Sequence, residues 1–575
     1  MNTSEKLIPF EVKPHIDPEL EAHTTIFERK IYKIGSNVYS AVGFGPANTI
    51  MVECEDCIVL LDVGRELETA RTVKEEFSKI TTKPLKTIIY THSHPDHIHG
   101  AKGWVTQELA ESGEVEIIAH ETLLENLLGQ SLLIGPILSA RTRYTFGAYL
   151  KDGDVEGMNI AIGPRSPVGT FTFVAPTRTF KDKLDLTIGG VDFQLFHVPS
   201  ECPDEVAIYL PKEKILFSSE VEQGPTLPNI HPIRGAKFRE PFDWIRSLDL
   251  LHSLKADHLV PHHGQPISGS DKVEEVLRMT RDGIQFIHDQ TVRYMNQGFT
   301  PAELAEKIEF PPHLKNYKPY LREYYGTIKA SVREIYVGYL GWFEGDPVDL
   351  DPLPRRKSAE RIIEMMGGRE KVLEKALENY NAGDYQWAAE LTTFLIRIDK
   401  QDMDARNIKA AAFRHLGYDQ ININWRNWYL TSAKELDGSL DVTKAHLLPG
   451  QNFAAPDVVS ALPARVNIEG LTVRLKAEET HDVEMILGFE FRGTNEHYAL
   501  EIRRGITQFH ETLPEGNYSV LLIDKEYLSK NPLNFVNLKK GKEEGKVGVK
   551  GNWDEVETFL SFFDFEPHPL WLTLR

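Results

Sequence analysis

The residues best equipped for chemistry lie together in Tyr90-Thr91-His92-Ser93-His94-Pro95-Asp96-His97-Ile98-His99-Gly100. His92, His94, Asp96 and His97 put four metal-ligating side chains within six residues. Imidazole nitrogens and carboxylate oxygens are the donors that zinc takes. Lys86–Tyr90 is β-branched and aromatic and reads as a strand. Pro95 has no N–H to give a strand ladder, so the ligands sit on a loop at the strand end. In an extended loop His92 and His94 project to the same side. Asp96 and His97 follow at the start of a helix. Two ligand pairs so placed suit two metals better than one.

Three later strand ends offer more candidates. Glu201 stands in Val198-Pro199-Ser200-Glu201-Cys202-Pro203, and Glu220 closes Leu216-Phe217-Ser218-Ser219-Glu220. Leu259-Val260-Pro261-His262-His263-Gly264 delivers a histidine pair into a Gly/Pro loop. Leu133–Gly147 is irregular and gathers Arg141, Arg143 and Tyr144, so it is either a substrate-facing insertion or a surface excursion. Cys54-Glu55-Asp56-Cys57 brackets a two-residue turn between strand-like runs. It is expected to be a hairpin with incidental cysteines, because a structural zinc needs two further ligands.

The elements that must position these residues alternate in type. Strand runs fall at Lys30–Ile34, Val38–Val42, Thr49–Val52 and Ile58–Asp62, with helical periodicity from Glu66 to Ile80. Val115–His120, Thr170–Ala175, Val191–Val198, Val206–Leu210 and Ile215–Phe217 extend the strand set. Strands with interposed helices predict an α/β sandwich, two sheets inside and helices outside. Asp271–Gln297 and Pro301–Ile308 are helical. Ser358–Asp437 is strongly helical, and Asn381–Ala389 resembles a tetratricopeptide turn. So few units bury no core alone, so they must pack on another domain or another subunit. After Leu448-Pro449-Gly450 the pattern returns to strands: Arg465–Ile468, Thr472–Leu475, Val483–Phe491, His497–Arg503, Gly505–Glu511 and Ser519–Ile523. A helix at Trp553–Phe563 completes an α+β module. The expected domains are 1–335, 336–441 and 442–575.

Composition excludes several classes. A net charge of −20 over 575 residues repels nucleic acid. A metal pair still lets such a chain take a small anion. No apolar run approaches bilayer length. Met1–Glu21 has no basic n-region and no apolar h-region, so cytoplasmic residence is expected. Three cysteines are too few for a disulfide framework.

The H-x-H-x-D-H motif resembles the metallo-β-lactamase superfamily. Further stretches narrow this to its alkyl sulfatases: Arg234-Gly235-Ala236-Lys237, Phe286–Thr291, Glu323–Thr327, Tyr339–Phe343, Met365–Gly368 and Trp425–Thr431. The resemblance implies a metallo-β-lactamase αββα catalytic domain, a helical dimerisation domain forming a homodimer, and a C-terminal module like sterol carrier protein 2 that offers an apolar cleft. It implies two Zn2+ per chain. His92, His94 and Glu201 would hold one ion, and Asp96, His97 and His263 the other, with Glu220 bridging. His263 is preferred to His262 because His-Gly-x-Pro is the family's form of this element. Arg234 and Asn229 resemble the family's sulfate-binding positions, with Tyr144 a weaker candidate for the same pocket. The expected reaction is hydrolysis of alkyl sulfate esters such as dodecyl sulfate. The competing readings are another hydrolase of the superfamily (lactamase, thioesterase or phosphodiesterase) and a lipid-binding protein with structural metals.

Overall fold

Seven strands in chain order build the first sheet: β1 Lys30–Ile34, β2 Val38–Val42, β3 Thr49–Glu53, β4 Ile58–Leu61, β5 Leu85–Ile89, β6 Glu116–His120 and β7 Arg178–Phe180. The first four pair antiparallel, and β4 to β7 pair parallel. The second sheet comprises β8 Lys183–Ile188, β9 Val191–His197, β10 Val206–Leu210, β11 Ile215–Phe217, β12 His258–Val260 and β13 Ile267–Ser268, neighbours in that order. The computed structural model describes residues 10–574 except 129–130, 154, 166–168, 448–455, 531–534, 536 and 567. The start of Met1–Glu21 and the Leu448-Pro449-Gly450 break lie outside the described residues.

Strand alternation divides the cores. Leu61, Ile89 and Val52 meet Leu195, Ile208 and Phe217 between the sheets. Their neighbours Leu60, Ile88 and Met51 face outward and pack with Ala70, Val73 and Phe77 of the helix Leu67–Ser78. Leu216 and Leu259 likewise face Trp244 and Ile284, from the helices Pro241–Ser253 and Ser270–Met295. The result is the expected αββα sandwich. Cys54 and Cys57 close the β3–β4 hairpin, with Cys54 N–H donating to the Cys57 carbonyl at 2.9 Å.

Several elements differ from the sequence expectation. Thr170–Ala175 is no strand. Thr172 bridges Gly100, and its N–H donates to the His99 carbonyl at 2.7 Å, so the segment braces the metal loop. β8 was not among the expected strands, although Lys183–Ile188 alternates polar and apolar residues, exposed and partly buried in turn. Gly189 and Gly190, at φ 49° and 77°, supply the tight hairpin turn to β9. Leu133–Gly147 lies largely within a helix, Ser131–Thr145, kinked at Ile134 just before Pro136. Arg465–Ile468 is helical, within Ala464–Glu469, and Thr472–Arg474 is a 3-10 turn. Pro463 starts that helix, and Ala464 and Ile468 pack under the C-terminal sheet, overriding β propensity.

The helix Ile328–Leu340 runs through position 335. Val332, Ile335 and Tyr336 pack on the catalytic core, and the chain departs at Gly341, φ 74°. Five further helices follow, Arg355–Met365, Arg369–Asn381, Tyr385–Ile398, Met403–Tyr418 and Ile423–Asp437, around Val372, Leu395, Ile408 and Ala433. The C-terminal module has a five-stranded sheet of β14 Glu484–Arg492, β15 His497–Arg503, β16 Ile506–His510, β17 Val520–Asp524 and β18 Val547–Lys550, in the order β16-β15-β14-β17-β18. It docks on the catalytic domain through Val458 and Leu462, and through Asp457, which pairs with Lys102 at 2.7 Å. The C-terminal segment then returns to the helical domain. The N–H groups of Leu572, Thr573 and Leu574 donate to the Glu435 carboxylate at 3.3, 2.9 and 2.8 Å. Among the described residues no helix is long and apolar enough to cross a membrane.

Candidate metal centre and substrate cleft

Four strand ends, those of β5, β9, β11 and β12, converge on one point, Glu201 following β9. After β5, Pro95 takes the first helical position of the single turn Pro95–Ile98 and so fixes where Asp96 and His97 emerge. Glu220 follows β11, and His263 follows β12. Gly224 lets these last two loops touch, since a Cβ there would lie 2.4 Å from the His263 carbonyl oxygen.

One oxygen, Glu220 Oε1, lies at the centre. It is 2.9 Å from His97 Nε2, 3.0 Å from His263 Nε2, 3.4 Å from His92 Nε2 and 3.6 Å from His94 Nδ1. Asp96 Oδ2 is 3.8 Å from His97 Nε2 and 3.9 Å from His263 Nε2. Asp96, His97, Glu220 and His263 form one ligand-spaced group, His94, Glu201 and Glu220 a second, and His92, His94 and Cys202 a third. All seven sequence-predicted ligands therefore meet, with Glu220 common to the first two groups and His94 to the last two. His262 stands behind them, its Nε2 3.4 Å from Asp62. Four imidazoles and three carboxylates around one buried oxygen are a donor set that fits a pair of divalent transition-metal ions.

The electrostatics are those of charges crowded out of water. Burial pushes Glu220 up, but His263 and neighbouring hydrogen bonds hold it well below the usual carboxylate range. Burial drives Glu201 well above that range, Glu220 adding to the shift and Arg239 opposing it. Burial presses His97 down, yet Asp62 and Asp96 raise it well above an ordinary imidazole.

Three supporting residues were missed by sequence reasoning. Asp62, at φ 58°, accepts from Thr91 N–H at 2.8 Å, Thr91 Oγ1 at 2.7 Å and His97 Nδ1 at 2.6 Å. Its signal was a carboxylate closing the apolar run Ile58–Leu61. Arg239 pairs with Glu201 at 2.5 Å and donates to the Asn229 carbonyl at 2.6 Å. Glu205 accepts from the Glu220 N–H at 2.6 Å and from Ser219 at 2.9 Å; burial and the charge of Glu220 push it up to about 7.

A cleft of about 240 Å³ opens from His94, with Leu127, Leu138 and Phe238 among its walls and Arg234 and Lys237 beside them. All its lining residues belong to the span from Ser93 to Asp243, within the catalytic domain. Burial first, and the charge of Arg234 with it, hold His94 below its ordinary range. Arg141 Nε donates to the Arg234 carbonyl at 2.6 Å, tying the helix Ser131–Thr145 to the Arg234 loop. Asn229 is buried off the cleft wall. Its N–H donates to Gln223 Oε1 at 2.7 Å, and Gln223 Nε2 donates to Glu220 at 3.0 Å. The expectation for Tyr144 is corrected. The side chain is 1% exposed, its hydroxyl donates to Glu435 and its ring packs on Trp428, all away from the cleft.

Three family models match the chain: metallo-beta-lactamase superfamily over 42–263, alkyl sulfatase dimerisation over 300–439, and alkyl sulfatase C-terminal over 452–569. A linear primary-alkylsulfatase of Pseudomonas sp. (strain ATCC 19151) is 52% identical over 91% of this chain and 100% of its own length. An (R)-specific secondary-alkylsulfatase of Pseudomonas sp. is 30% identical over 93% of this chain and 81% of its own. The solved structure of the stereoselective inverting sec-alkylsulfatase Pisa1 from Pseudomonas sp. superposes with a TM-score of 0.87 at 27% identity, covering 96% of this chain and 88% of that one.

Proposed function

The chain belongs to the alkyl sulfatase family of the metallo-β-lactamase superfamily and is an alkyl sulfatase, and on that premise we propose that it cleaves linear primary alkyl sulfates with two zinc ions per chain. The observation that carries this is Glu220 Oε1, within 3.6 Å of four imidazoles, one of which, His94, lines a cleft flanked by Arg234. His92, His94 and Glu201 would hold one ion, and Asp96, His97 and His263 the other, with Glu220 between. Bound there, the ions supply an activated water at neutral pH and a positive face for an anionic ester.

The chain's own residues bind and orient. Arg234 offers a planar fork to two sulfate oxygens. Leu127, Leu138 and Phe238 strip water from the alkyl chain. Asp62 and the Thr91 hydroxyl fix the rings of His97 and His92 against rotation. Release of sulfate from dodecyl sulfate, measured beside a metal count, tests the reading. Turnover of a lactam, thioester or phosphodiester in place of the sulfate ester overturns it, and binding of lipid without turnover favours a carrier.

The proposed homodimer forms through the helical domain. The dimerisation match supports it, as do Trp342, Val348, Leu350 and Met365, exposed at 67%, 68%, 59% and 87% along the segment that leads into that domain. Exposed apolar surface of this kind is what a subunit interface covers.

A further inference from the structure

Each of the four histidines at the centre turns one ring nitrogen inward and gives the other to a partner. His97 holds Asp62 Oδ2 at 2.6 Å, His263 holds the Pro46 carbonyl at 2.9 Å, and His92 holds Thr91 Oγ1 at 3.0 Å, each through Nδ1. His94 is reversed. Its Nδ1 faces His92 Nε2 at 2.9 Å and Glu220 Oε1 at 3.6 Å, and its Nε2 lies 3.2 Å from Cys202 Sγ. Three of the partners are oxygens, and the fourth is sulfur.

We propose that Cys202 is the positioning residue of His94, its sulfur accepting from Nε2–H so that Nδ1 is turned toward the ion. The proposal rests on the metal reading of the cluster. Histidines that ligate metals commonly give their second nitrogen to such a partner, and losing it costs 10- to 100-fold in metal affinity. His94 has the greatest need of one. Its side chain is 20% exposed at the cleft, whereas those of His92, His97 and His263 are 0% exposed. Cys202 is well set for the task. It is buried, lines the cleft beside His94, and sits between Glu201, fixed by Arg239, and Pro203. Sulfur is also a weaker acceptor than oxygen. The ion at His94 is therefore the more loosely held of the two.

The test uses the full-length protein loaded with zinc, and separately with cobalt(II). Ions per chain are counted after equilibration against a graded chelator. For Cys202→Ala the expected result is loss of one ion at a free-metal level roughly 10- to 100-fold higher than in the parent, with the second ion unmoved. Cys202→Ser, which keeps an acceptor, should recover most of that loss. Cys202→Val fills the space without an acceptor and replaces the alanine variant if that one fails to fold. The cobalt form of the parent should show no near-ultraviolet sulfur-to-cobalt charge-transfer band. Equal retention of both ions by the parent, Cys202→Ala and Cys202→Val overturns the proposal. So does a sulfur-to-cobalt band, which would make Cys202 a direct ligand. A parent chain that holds no ion at all overturns the metal reading itself, a failure visible before any variant is made.

Discussion

Arg234→Ala, crossed with a series of straight-chain alkyl sulfates, separates the two halves of substrate recognition. Each methylene buried against Leu127, Leu138 and Phe238 contributes about 0.8 kcal/mol, or roughly fourfold in kcat/KM. Efficiency should therefore climb by that factor per carbon until the cleft of about 240 Å³ is full, then level off. On the proposed reading Arg234 meets the sulfate, which every member of the series shares. A charge-assisted fork of two hydrogen bonds, discounted because Arg234 is partly exposed, contributes about 3 kcal/mol, or on the order of 10²-fold. Plotted as log kcat/KM against chain length, parent and variant should give parallel lines about two decades apart. Phe238→Ala should instead lower the slope and leave short chains unchanged. The assay is initial-rate sulfate release below the micellar range of each ester. Lines that converge at long chains would refute the placement of Arg234 on the sulfate, and a flat parent line would refute the cleft as the alkyl site.

Asp62→Asn keeps the side-chain shape and tolerates φ 58°, but leaves one oxygen for three donors. It should weaken metal binding at the His97 position by about 10- to 100-fold in chelator competition, and unchanged affinity would count against the assignment. His23, buried against Tyr324, titrates at about 4 rather than 6.5. Between those values the unfolded chain binds the extra proton, so stability falls as pH drops through this window, by about 3 kcal/mol at 1.36 kcal/mol per pH unit. In urea unfolding, His23→Phe should flatten that acid-side loss. Sedimentation at micromolar concentration should give a dimer, and paired charges at Trp342 and Leu350 should shift it toward monomer.

The candidate ligands were legible because a motif within six residues and three strand ends carry them. The fold brings Glu201 to His94 and Glu220, and Glu220 to His97 and His263. Asp62 and Arg239 were not legible, because their roles arise only when β4 lies beside the metal loop and the 234–240 loop folds over Glu201. Tyr144 misled because proximity in sequence to Arg141 hid the helix beneath. In the helix Ser131–Thr145, Arg141 and Tyr144 share a face against Trp428, from which Arg141 reaches the Arg234 loop and Tyr144 reaches Glu435. The helix Ala464–Glu469 was misread because Arg465-Val466-Asn467-Ile468 alternates polar and apolar, the period of a strand, and is too short to show a helical one.

Glu435 gathers three N–H groups of the C-terminal segment and the hydroxyl of Tyr144, whose helix carries Leu138 and Thr142 to the cleft wall. Disturbing Leu572–Leu574 thus disturbs an anchor of the candidate substrate cleft, however distant the segment looks in sequence. Chain-length profiles should therefore respond to substitutions at residues 571–574, none of which lines the cleft.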